Sequence, residues 1–216
     1  SLINLQKAVK KFKNGNPKKF KNNNLQKGIN FNLPSTTHVS IVDSYGNAVA
    51  LTSSIEFAFG SGKTVGGFFL NNQLTDFSFL SHSRDGVKIA NSVEPKKKPR
   101  SSMAPTIVFK NDQLVGVLGS PGGSRIICYV AKTLFYIINF NVNIEEAISL
   151  PHLCSRNEFS EIEKKDFELG IYSSLKLLGH DIVKKEMNSG LNIIWKYGDF
   201  WGGASDQRRE GVAVGF

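Results

Sequence analysis

At Thr36 the chain changes character. Residues 1–35 carry eight lysines and no acidic residue, broken by Gly15, Pro17 and Pro34, whereas from Thr36 onward nineteen basic residues meet eighteen acidic ones. Eight of the nine formal net positive charges therefore belong to the leader, and the body is close to neutral. Directly after the boundary, apolar side chains fall into period-two rows, so the folded part must open on a strand. This divides the chain into a basic leader, residues 1–35, and a folded domain, residues 36–216. Within the leader, Leu2–Phe12 has the spacing of a short helix with Leu5, Ala8 and Phe12 on one side. A lysine tract interleaved with Phe12, Phe20 and Phe31 has the ingredients for stacking on RNA. A solvated linker is the favoured reading, and no nucleic-acid partner is expected.

The body reads as strands, then helices, then strands. His38–Asp43 and Ala48–Ser54 form a hairpin around Ser44–Asn47, with Val39, Ile41, Val49 and Leu51 alternating along it. Glycines 60, 62, 66 and 67 precede a third apolar strand, Gly67–Asn72, and a polar loop 78–100 ends in the run Pro95-Lys96-Lys97-Lys98-Pro99-Arg100. Thr106–Lys110 and Leu114–Ser120, turning at Asn111-Asp112, form a second hairpin. Residues 124–140 suit a buried helix, 144–150 open another, and 169–178 give a third, stopped by Gly179. Residues 190–211 read as a final hairpin pair followed by a glycine-rich close. This order predicts an α+β fold rather than repeated β-α units. No apolar run reaches the 18 or so residues that cross a membrane.

Several chemistries are set aside. The four histidines lack metal-ligand spacing, and two cysteines cannot complete a zinc set. Cys128 and Cys154 sit among apolar residues and read as inert thiols in preference to a bridge. Neither a G-x-S-x-G nucleophile elbow nor a phosphate loop is present, since the glycine-rich Gly119–Ser124 lacks a following Gly-Lys-Ser/Thr. No metal and no cofactor is implied. What remains is Thr36 at the boundary. A threonine hydroxyl is a weak nucleophile until a base stands beside it, and cleavage between Ser35 and Thr36 would free an α-amine on the same residue, able to act as that base near neutral pH.

Six segments in order, T-T-H-V-S-I-V-D, G-N-A-V-A-L-T-S-S-I-E, F-G-S-G, L-N-N-Q-L-T-D-F, R-S-S-M-A-P-T-I-V and G-S-P-G-G-S-R-I-I, followed by G-A-S-D ending at Asp206, resemble the small-subunit region of γ-glutamyltranspeptidases, or glutathione hydrolases. The resemblance implies a four-layer αββα sandwich of the N-terminal nucleophile hydrolase type. It also implies a precursor that cleaves itself, here at Ser35-Thr36, and a large subunit whose tail is the leader. Thr36 is then the nucleophile, Ser54 its hydroxyl partner, and Gly122 and Gly123 the oxyanion hole. Glu56, Gln73 and Asp76 match positions that hold the donor's α-amino group, and Ser101 and Ser102 those that bind its α-carboxylate.

Two departures from the family pattern stand out. Ser54 replaces a frequent threonine, keeping the hydroxyl without the methyl that fixes its rotamer, and loop 78–100 has no aromatic beyond Phe79 to close over the donor, which favours an open site. The expected substrates are γ-glutamyl small molecules such as glutathione, with the large subunit of the same precursor as protein partner and a periplasmic or extracellular location. The rival readings are an acylase of other dicarboxylic amides, an inactive fragment lacking its large subunit, and a binding protein that engages nucleic acid or membrane through its basic arm.

Overall fold

The computed structural model describes residues 36–164 and 169–215. The leader, with its expected helix Leu2–Phe12 and the residue Ser35, lies outside them. The described residues divide into two units, a larger one of residues 36–149 with 188–215 and a smaller one of residues 150–164 with 169–187.

In the larger unit, β1 (Thr36–Val42) and β2 (Ala48–Ser54) pair antiparallel with Thr36 opposite Ser54 and His38 opposite Thr52. Asp43 closes the turn by accepting from the backbone N–H groups of Tyr45 and Asn47 at 2.9 and 2.8 Å. A second antiparallel sheet runs in the order β11 (Phe200–Ser205), β10 (Asn192–Tyr197), β6 (Gln113–Gly119), β5 (Thr106–Lys110). Its β5–β6 turn has Asn111 at φ 51° and Asp112 at φ 61°, the left-handed pair that a two-residue hairpin demands.

The two faces of this sheet meet different neighbours. A Cβ added to Gly119 would strike the His38 ring, so this face looks at the β1–β2 hairpin, while one added to Gly202 would approach Ile144 at 3.7 Å. Helices α1 (Ile126–Phe140) and α2 (Ile144–Ser149) cover that second face. Ile126, Tyr129, Val130, Thr133 and Ile137 of α1 are buried, a spacing of three and four that keeps one stripe on the core. Asn141, left-handed at φ 52°, ends the helix by donating to the carbonyls of Tyr136 and Ile137. Leu118 and Ile193, adjacent across β6 and β10, are fully buried, and burial stabilises a side chain of that size by about 1.5–3 kcal/mol.

Hairpin, sheet and helices thus form three layers. The hairpin turns Thr36, His38, Ser40, Thr52 and Ser54 inward and leaves Val39, Ile41, Val49 and Leu51 between 42% and 53% exposed. The alternation is as expected, but the apolar row is the uncovered one. The expected third strand is reduced to β4 (Phe68–Phe69), which pairs with β3 (Thr64–Val65) as a small exposed hairpin. Gly66 and Gly67 form its turn at positive φ, and among the described residues no further strand flanks it to bury the phenylalanines.

The smaller unit holds a three-stranded sheet absent from the sequence reading: β7 (Leu153–Ser155) antiparallel to β8 (Ser160–Glu163), which runs parallel to β9 (Ile182–Lys185). Helix α3 (Leu169–Leu177) makes the crossover and stops before Gly179 at φ 82°, as the pattern predicted. Neither cysteine is a free thiol, contrary to the expectation of inert separate ones.

Candidate active site

The register of the first hairpin sets the site. With Thr36 opposite Ser54, the Thr36 hydroxyl donates to Ser54 Oγ at 3.0 Å, and the same oxygen accepts from the Glu56 backbone N–H at 3.0 Å. Ser54 therefore orients the Thr36 hydroxyl, and the chain turning at Glu56 orients Ser54. Glu56 adopts φ 70°, a left-handed backbone uncommon outside glycine. Asn72 clamps this turn. It accepts from the Phe57 N–H at 3.0 Å through its side chain and donates its backbone N–H to Ile55 O at 3.2 Å.

Asn72 also precedes the 3-10 turn Gln73–Asp76, which carries the next polar groups. The Gln73 amide donates to Asp76 Oδ2, and Glu56 and Asp76 share a side-chain hydrogen bond. Burial raises the Glu56 pKa above the ordinary glutamate range; the neighbouring Asp76 charge and the shared bond raise it further, and Arg100 opposes them. Glu56 thus holds its proton more firmly than an isolated glutamate does.

A single open cleft gathers these groups. Thr36, Ser54, Glu56, Gln73, Asp76, Ser101, Ser102 and Gly123 are among its lining residues. All the sequence-selected residues are brought to it except Gly122, which is buried next to Gly123 without lining the cleft. Gly122 sits at φ 136° and Gly123 at φ 59°, between the end of β6 and the first turn of α1. A side chain at Gly122 would come within 2.5 Å of the Tyr129 ring, so the turn has room only for glycine. No carbonyl among the described residues accepts from the N–H of either glycine.

Three features escaped the sequence reading. Arg100 lines the cleft beside the serines. His38 braces the strand behind Thr36, its Nδ1 2.7 Å from Thr52 Oγ1 and its Nε2 3.1 Å from Ser40 Oγ. Arg209 donates to the Thr36 carbonyl at 3.4 Å and to Asn188 O at 3.0 Å. The G-A-S-D element explains how this last residue is held. Asp206, 2% exposed, accepts from Ser189 Oγ, from the Leu191 N–H at 3.4 Å and from the Arg208 N–H at 3.0 Å. Only the basic run ending at Arg100 was visible beforehand as a signal. Among the described residues no cluster of His, Cys, Asp and Glu could hold a metal ion, and no helix is long and apolar enough to cross a membrane.

A family model described as gamma-glutamyltranspeptidase matches residues 1–216. The glutathione hydrolase proenzyme of Bacillus subtilis is 36% identical over 186 residues, covering 83% of this chain and 30% of that protein. The protein of the same name from Escherichia coli is 36% identical over 194 residues, covering 84% and 33%. Among solved structures, a Helicobacter pylori gamma-glutamyltranspeptidase variant superposes with a TM-score of 0.72 at 36% identity, covering 80% of this chain and 100% of that one. The chain thus spans about a third of the length of the curated relatives it matches.

Proposed function

The chain belongs to the γ-glutamyltranspeptidase family, and from that premise we propose that residues 36–216 are its catalytic small-subunit part and residues 1–35 the end of the large-subunit part. The activity is γ-glutamyl transfer or hydrolysis on glutathione and related amides, after self-cleavage at Ser35-Thr36. The observation that carries this reading is the Thr36 hydroxyl, bonded to Ser54 at 3.0 Å in the cleft that also holds the Glu56–Asp76 pair.

Each group has a role. The freed Thr36 amine takes the hydroxyl proton as the oxygen attacks the γ-carbonyl, with Ser54 holding the rotamer. The Gly122 and Gly123 N–H groups receive the oxyanion. Collapse expels the donor's amine, which leaves with the proton from Thr36, and a γ-glutamyl-threonine ester remains. Water or an acceptor amine then attacks the ester, restoring the hydroxyl. Glu56 and Asp76, oriented by Gln73, meet the donor's ammonium, and Ser101 and Ser102 bind its α-carboxylate.

The four-layer αββα sandwich belongs to the same proposal. Three layers are described above, and the exposed row Val39, Ile41, Val49 and Leu51 is the face a fourth, helical layer from the large subunit would cover. A periplasmic or extracellular location follows from the resemblance alone.

A donor panel on the matured enzyme tests the substrate assignment. γ-Glutamyl amides should be turned over and the matching glutaryl amides, which lack the α-amino group, should not, because the acid pair would then face no cation. Preferential turnover of glutaryl donors would instead assign the chain to the dicarboxylic acylases.

A further inference from the structure

The catalytic scheme leaves one charged side chain of the cleft without a task. Arg100 lines the same cleft as Thr36, Glu56 and Asp76. Its backbone is fixed, since its N–H donates to Asn91 Oδ1 at 3.1 Å while the Asn91 amide donates to the carbonyl of Asp76. One asparagine thereby ties the position of Arg100 to that of the acid pair. The guanidinium itself has no hydrogen bond and no ion pair among the described residues, and the residue is exposed.

Charge runs are usually solvated faces, and the neighbours of Arg100 separate it from that default. Lys97 turns back onto its own loop, meeting Glu94 at 3.2 Å and the Ala90 carbonyl at 3.0 Å. Lys96 and Lys98 are exposed but do not line the cleft. Arg100 alone of the run does, and its charge is felt inside, where it opposes protonation of Glu56. A forked, permanently charged donor at a cleft mouth, unspent on the protein, suits a carboxylate.

What the other groups of the cleft already hold decides which carboxylate. In the γ-glutamyl reading, on which this inference rests, the donor's ammonium and α-carboxylate are taken up by Glu56, Asp76, Ser101 and Ser102. What projects outward past Thr36 is the amine portion that leaves. We infer that Arg100 recognises a carboxylate on that leaving portion, so that the cleft prefers γ-glutamyl amides of anionic amines such as amino acids and peptides.

The test compares two chromogenic donors on the matured enzyme with its large subunit: γ-glutamyl-para-nitroanilide, whose leaving amine is uncharged, and its ring-carboxylated counterpart. A charged hydrogen-bonded contact of this kind corresponds to roughly a tenfold effect. R100M should therefore lower the ratio of kcat/KM for the carboxylated over the uncharged donor about tenfold. R100K should keep most of the ratio, and R100E should push it below that of R100M. A ratio in R100M equal to the parent's overturns the inference while leaving the γ-glutamyl reading intact. If the parent turns over neither donor, that reading fails and takes this inference with it.

Discussion

Behind Thr36, the His38 ring lies 6% exposed against Gly119, with both nitrogens engaged by hydroxyls on its own hairpin. Burial lowers its pKa from 6.5 to about 4, so the ring is neutral in the folded protein near pH 7. Between those two values the unfolded chain binds the extra proton and the folded one does not. Stability from this group is therefore complete above pH 6.5 and is lost as pH falls toward 4. A shift of this size corresponds to at most about 3 kcal/mol. Thermal melts of H38N across that range should show a shallower fall than the parent, and an equal slope would remove His38 from the account. At this scale the sequence was informative about which residues gather: Thr36, Ser54 and the acids stand in recognisable segments and line one cleft. It was silent on His38, because nothing in the spacing of four histidines says that one will brace two hydroxyls across a hairpin. It was equally silent on Asn72 and Asn91, whose importance arises only once the loops they tie have closed.

The element that joins chemistry to fold is the turn between β6 and α1. Gly119 faces the His38 ring, Ser120 Oγ accepts from the Gly190 N–H at 3.1 Å, and Gly122 and Gly123 then lead into the helix. G122A meets two penalties at once, a strained φ of 136° and a clash at 2.5 Å with a fully buried ring. It should lower stability by about 2 kcal/mol or more. G46A, at φ 85° with no atom within 4 Å of the new Cβ, isolates the strain alone and should cost less. Chemical denaturation of both variants checks the order, and equal losses would mean that packing on Tyr129 contributes nothing. The hairpins β1–β2, β5–β6 and β10–β11 and the two helices of the larger unit were legible because their periodicity and turn residues agree, whereas the short β3–β4 hairpin was read as a single strand. The sheet of the smaller unit was not, since β8 buries Glu161 and Glu163, 4% and 5% exposed. Their acceptance of the Arg156 guanidinium and the His152 N–H, both at 2.9 Å, is a tertiary outcome that a hydropathy pattern reads as surface.

For the whole molecule, the sense of the first hairpin is the informative feature. Its polar row faces inward and carries Thr36, its partner hydroxyl on Ser54 and the bracing His38, while its apolar row is 42–53% exposed. A sheet built this way gives up a conventional hydrophobic face to make a site, and it accounts for Val39, Ile41, Val49 and Leu51 only if something else covers them. The break in charge at Thr36 belongs to the same scale: the basic leader ends where β1 begins, which is where the proposed processing boundary falls. The central claim is that cleavage at this boundary creates the catalyst. Intact-mass analysis of the full-length precursor, incubated at neutral pH beside a T36A variant, tests it most directly. The account predicts that the parent divides between Ser35 and Thr36 while T36A stays whole; a parent that remains uncleaved with its large subunit present would contradict it.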